Sequence, residues 1–184
     1  MINIEQFSQI ENPLGCILVS SGFSNDAYNK MRIIFQKYES RYNIMYVKYD
    51  DCIKEMQTIA SQSNKKQELE NCIYYICALN LIQIINERNF KFDLLISKSA
   101  GCPVLQIVNI KMNIYHIVFA PAYYPEFGDN ILHIIWCKDD KKIPIDGLPK
   151  YIQTANQYTK YIMTDIYDKG GHEFIELALD KILF

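Results

Sequence analysis

At 184 residues, 49% of them apolar and 22% charged, the chain has the size and balance of one globular domain with a sizeable core. A formal net charge of -2 leaves no broad basic surplus to hold a phosphate backbone, which argues against nucleic acid as a partner. Residues 1–13 lack the basic and apolar regions of a signal peptide. The most apolar stretch, 72–85, is broken by Asn80 and Gln83 and is short for a bilayer, so it reads as a buried helix and membrane insertion is not expected. The six cysteines lie in apolar runs such as Gly15-Cys16-Ile17, with no CxxC pair and no Cys/His zinc spacing. They read as buried free thiols of a cytoplasmic protein, with no metal bound.

In chain order, residues 16–20 read as a buried strand. Ser24 can cap a helix running to about Arg41, with Met31, Ile34 and Phe35 inward. Residues 44–49 form a second strand. The polar run 60–67 leads into a long helix, 67–89, whose apolar breadth would permit a helix-mediated homodimer. A third strand covers 92–96, a helix 102–109, a fourth strand 115–119 and a fifth 131–137. A helix over 148–159, a sixth strand over 162–167 and a closing helix over 173–183 complete the chain. Alternation of this kind predicts a single α/β domain over 1–184. It is a three-layer αβα sandwich around a mostly parallel six-stranded sheet. Ligands bind beyond the carboxyl ends of such strands, so function is sought in the residues that follow each one.

The third strand runs into Ser97-Lys98-Ser99-Ala100-Gly101-Cys102-Pro103. A tight strand-to-helix turn can lift the Ser99 hydroxyl clear of the sheet if the residues two positions away are small, as Ser97 and Gly101 are. Pro103 falls in the first helical turn, where a missing N–H costs nothing. The Ala100 N–H would then lie at a helix N-terminus, placed to donate to an oxyanion. Alone, the motif fits equally a turn that uses small residues for packing. Two later turns add to it: Asp139 and Asp140 follow the fifth strand, ahead of Pro144, and Gly170-Gly171-His172 follows the sixth.

Serine, aspartate and histidine in this order, each after a strand, resemble the α/β-hydrolase superfamily over nearly the whole chain. In that superfamily an Asp about four residues before a Pro follows the acid-bearing strand, the place held by Asp140. Gly-His often precedes the last helix, as Gly171-His172 does. Ser97 stands where the first elbow glycine usually lies, and the N-terminal hairpin of many members is missing. Val19-Ser20-Ser21-Gly22-Phe23-Ser24 resembles the His-Gly-x oxyanion loop, with Ser21 in the His place and the Phe23 N–H as second donor beside Ala100. A plain turn with a Ser24 cap is the alternative.

The resemblance implies a cofactor-free serine hydrolase acting on a small carboxylic ester or thioester, with Ser99 as nucleophile, His172 as base and Asp140 as acid. Asp139 and Glu126 compete with Asp140 for that role. His116 and His133 lie early in strands and read as structural. Lys138, Lys141 and Lys142 read as a solvated loop rather than a subsite for an anionic group. Residues 120–130 leave no room for a large lid. Tyr123, Tyr124 and Phe127, with Phe23 and Tyr28, either line a shallow acyl pocket or cover the sheet edge. A non-catalytic relative that binds a ligand or partner is the chief rival. A flavodoxin-like module is a weaker one, because the turn after the first strand is poor in glycine.

Overall fold

The computed structural model describes residues 2–6, 9–122, 131–173 and 176–183. Seven strands form one sheet in the order β1-β3-β2-β4-β5-β6-β7: β1 Ile2–Gln6, β2 Cys16–Ser20, β3 Asn43–Tyr49, β4 Leu94–Ser99, β5 Tyr115–Pro121, β6 Ile131–Cys137 and β7 Tyr161–Tyr167. All pairs are parallel except β1 with β3. The sheet therefore has one strand more than the six expected. Among the described residues no hairpin precedes β2; instead the single strand β1 runs antiparallel along β3. Its alternation is plain in retrospect: Ile2 and Ile4 are buried while Asn3 between them is exposed.

The helices are α1 Asn25–Phe35, α2 Asp51–Ser61, α3 Lys66–Glu87, α4 Gly101–Met112, α5 Leu148–Ala155 and α6 Glu176–Leu183. α2 occupies part of the sequence assigned to no element, with Ile53 and Ala60 turned inward. α1 starts as expected: Ser24 is extended and its Oγ accepts from the Ala27 N–H at 3.1 Å. It ends at Phe35 in a short 3-10 turn, ahead of the expected limit.

Successive strand residues face opposite sides. Ile17, Val19, Ile44, Tyr46, Ile96, Ile117 and Phe119 meet α1 and α6 on one face. Leu18, Met45, Val47 and Leu95 meet α3 and α4 on the other, and Val118, Leu132, Ile134 and Trp136 continue that face under α5. This is the three-layer sandwich, and its continuous apolar strands are the consequence of burial on both sides. α3 is half-buried rather than buried: Ile73, Cys77 and Leu81 pack inward, while Leu69, Ile76 and Leu79 are exposed. For the same helical reason the cysteines are not uniformly buried. Cys77, Cys102 and Cys137 are, Cys16 is half-buried, and Cys52 and Cys72 on α2 and α3 are exposed free thiols. Among the described residues no helix is long and apolar enough to cross a membrane.

Candidate active site

β4 ends on Ser99, whose backbone adopts φ +52°. A non-glycine residue in the left-handed region is strained by contact between Cβ and the backbone, and the surrounding fold has to hold it there. Two neighbours allow the turn. Gly101 begins α4 so close to the turn after β2 that a Cβ on it would lie 2.5 Å from the Ser21 carbonyl oxygen and 2.8 Å from that of Ser20. Ser97 is fully buried, and its Oγ lies 2.6 Å from Nε2 of the equally buried His116 on β5. The hydroxyl that replaces the usual glycine is thus given a partner, which removes the desolvation cost of an unmet polar group. His116 is structural, as expected. His133, also in the strands, bridges Tyr115 Oη at 2.7 Å and Asp165 at 3.1 Å.

The turn after β6 holds both adjacent aspartates. Asp140 Oδ1 accepts from the Lys142 and Ile143 N–H groups, both at 2.9 Å, and Oδ2 accepts from His172 Nδ1 at 2.8 Å. The Asp140 side chain has no solvent exposure, and that of His172 has 11%. Of the two adjacent aspartates it is therefore Asp140 that meets the imidazole. Asp139 does something else: it accepts from the Gly171 N–H at 2.7 Å and the Gly170 N–H at 3.3 Å. These bonds, led by that from Gly171, hold the Asp139 carboxyl below its ordinary range. Gly171 sits at φ +57°, so the turn that delivers His172 is bent at a residue free to bend and tied to the turn after β6. Glu126, the other rival for the acid, lies outside the described residues.

Ser99 and His172 line one cavity of about 210 Å³ at the carboxyl end of the sheet, with Gly22 from the turn after β2 on its wall. The Gly101 contact presses the elbow against that same turn, so the Ala100 and Phe23 amides come from touching segments, as an oxyanion hole requires. Two of the aromatics expected at an acyl pocket lie elsewhere. Phe23 points into the core, its ring 4.6 Å from that of Tyr49 and 5.9 Å from that of Tyr74. Tyr28 packs edge-on to Tyr46 under α1 and donates its hydroxyl to Glu5. Neither lines the cavity, because each belongs to one of the two apolar layers. Tyr123, Tyr124 and Phe127 lie outside the described residues.

Among the described residues the cavity is lined by charged groups, Lys30, Lys98, Lys142, Asp26 and Glu173, beside Ser99 and His172. Lys98 Nζ lies 3.4 Å from Glu173, and Lys30 Nζ lies 3.2 Å from Asp26 and 3.8 Å from Glu173. Burial holds the Lys98 ammonium below its ordinary range, against the pull of Glu173. Burial raises Glu173, but the charge and hydrogen bond of Lys98, with Lys30 and Lys142, carry its carboxyl below the ordinary value. Sequence reasoning passed over these groups. Lys98 stood as the variable residue between two serines, and only Lys142 had been weighed against an anion.

No family model matches the chain, and no curated protein matches it in sequence. Solved structures do match in shape. A carboxylesterase of Bacillus cereus superposes at TM-score 0.67 and 10% identity, covering 100% of this chain and 92% of its own. Est1E of Butyrivibrio proteoclasticus, with ferulic acid bound, superposes at 0.67 and 10%, covering 99% and 92%. A Xanthomonas campestris protein assigned to the alpha/beta hydrolase superfamily superposes at 0.63 and 13%, covering 93% and 98%. The chain has the α/β-hydrolase fold. Within that fold, likeness at this identity says nothing of substrate, and the site's own residues have to carry the argument.

Proposed function

We infer that the protein is a serine hydrolase that cleaves a small carboxylic ester or thioester through an acyl-enzyme on Ser99. One observation carries this reading: a strained serine shares a cavity with an imidazole whose far nitrogen is bound to a buried carboxylate. A serine hydroxyl needs a base to remove its proton as it attacks. With Nδ1–H donated to Asp140, His172 Nε2 is the nitrogen that accepts the proton. Asp140 holds that tautomer and stabilises the imidazolium. Attack on the carbonyl carbon gives a tetrahedral oxyanion, received by the Ala100 and Phe23 amides. The intermediate collapses as the imidazolium protonates the departing alcohol or thiol. Water, deprotonated by the same imidazole, then releases the acid and restores Ser99. No step calls on a metal or organic cofactor. The free thiols, two of them exposed, support action in the cytoplasm.

Labelling by a fluorophosphonate probe tests the reading, with modification expected at Ser99 alone. An unlabelled protein that turns over no ester would be the binding protein of the rival reading. The cavity is smaller than the roughly 300–1,000 Å³ usual for ligand sites, so short acyl groups are preferred. In a p-nitrophenyl ester series kcat/KM should fall from acetate to octanoate, and EDTA should not change it. A rise with chain length would refute this size argument.

A further inference from the structure

The lysine run after β6 does not behave as one solvated loop. Lys138 turns outward and pairs with Asp168 at 2.6 Å, with both side chains largely exposed. Lys142 instead reaches the wall of the cavity that holds Ser99 and His172. Its backbone is pinned there, because its own N–H and that of Ile143 are the donors to Asp140. Lys98 and Lys30 join it from β4 and α1, so three ammonium groups from distant parts of the chain meet at one opening. Among the described residues the carboxylates lining that opening are Asp26 and Glu173. Both are engaged by Lys30, and Glu173 by Lys98 as well, with the charge of Lys142 acting on Glu173 from farther off. No carboxylate of the described residues lies within 4.0 Å of Lys142 Nζ. Asp140 does not line the opening: it lies buried behind His172, with its oxygens bonded to the imidazole and to two backbone N–H groups.

Among the described side chains that line the opening, three ammonium groups thus face two carboxylates, and Lys142 is the one with no carboxylate in contact. A neutral alkyl ester gives it nothing to bind. A carboxylate a few bonds from the scissile carbonyl would meet Lys142 and complete the charge balance. The backbone of this lysine is already fixed, so binding has only its side-chain rotamers left to order. We propose that the site selects short esters or thioesters bearing a single carboxylate, with Lys142 as its receptor and Lys98 and Lys30 keeping the surrounding field positive. This rests on the hydrolase reading and adds the substrate class to it.

Matched ester pairs test the proposal. Monomethyl succinate against methyl pentanoate places the charge on the acyl half, and O-acetylglycolate against propyl acetate places it on the alcohol half. In at least one pair the anionic ester should have the higher kcat/KM, by about tenfold, the worth of a charged hydrogen bond. That ratio should collapse toward one in Lys142→Gln, fall below one in Lys142→Glu, and shrink with added salt. Lys142 is exposed, so the variants should melt as the parent does, and a melting curve checks this. A parent that hydrolyses the neutral esters as well as the anionic ones overturns the proposal and leaves the hydrolase reading standing. So does a ratio that Lys142→Glu does not change. A parent that hydrolyses none of the four esters and takes no fluorophosphonate label overturns both.

Discussion

Two serines two residues apart on β4 each have a histidine at hand, and they share almost nothing else. Ser97 and His116 meet at 2.6 Å inside the sheet, both with no exposure to solvent. Ser99 and His172 lie at the strand's end, in an open cavity, on a backbone twisted to φ +52° and with Asp140 behind the imidazole. The first pair has the shorter description and none of the chemistry. A hydroxyl beside an imidazole becomes a nucleophile only where a substrate carbonyl can reach it, where donors await the oxyanion and where the imidazolium is supported. Buried in the sheet, the same pair of side chains merely satisfies itself.

The contrast breaks most sharply if the wrong serine reacts. Ser99→Ala should abolish fluorophosphonate labelling and lower kcat by about 10⁶-fold, as loss of a nucleophile does in a triad. Labelling of that variant at Ser97 would reverse the two roles. Next in size, Asp140→Asn should lower kcat by about 10⁴-fold through the wrong imidazole tautomer. Asp139→Asn, which touches only the Gly170 and Gly171 amides, should cost far less. Equal losses in steady-state kinetics would mean that the aspartates act together. Ser97→Ala should show the opposite profile. It leaves His116 Nε2 without that partner and should cost about 1–3 kcal/mol in chemical denaturation, while the folded protein keeps its labelling at Ser99.

The smallest effect falls on Tyr28, expected from the sequence to line an acyl pocket and found instead holding Glu5 on β1. Tyr28→Phe should leave the acyl-length profile unchanged and destabilise the fold by about 1 kcal/mol at neutral pH. The Glu5 carboxyl is held below its ordinary range, first by the Tyr28 hydroxyl and then, against burial, by Lys48. A carboxyl lowered by folding adds stability that is full above its unfolded pKa and is lost as pH falls through its folded value. The gap between parent and variant should therefore close on acidification, as melting curves at neutral and acid pH would show. A gap that widens in acid would contradict this assignment.

What the sequence made legible follows from range. Ser99 ends a strand and Gly101, Asp140 and His172 lie in the turns that follow one, and a strand's end can be read from the apolar run before it. The choice of Asp140 over Asp139 came from its offset to Pro144, and Asp140 is the one of the two bonded to His172. The ring direction of Phe23 was not legible, since it lies where the chain leaves β2 and periodicity no longer says which way a side chain turns; that of Tyr28 was, since it stands three residues before Met31 on the inner face of α1. The Ser97–His116 pair joins adjacent strands, and the meeting of Lys30, Lys98 and Lys142 depends on three separate elements. β1 was missed although Ile2 and Ile4 alternate with polar residues, because five residues are few for a period-two signal.

Gly101 has a consequence for how this molecule can vary. The atoms a larger residue would strike are main-chain oxygens of Ser20 and Ser21, which no rotamer change can clear. Any side chain there would push the elbow and the turn carrying Phe23 apart, shifting Ser99 and the Ala100 and Phe23 amides in one move. In a saturation library position 101 should tolerate no replacement, and its failures should be complete rather than graded. Lys30 and Lys142 are exposed and can change without disturbing that junction. Inherited variation in this lineage therefore has an open route to altered substrate choice at the cavity mouth and a closed one at its floor.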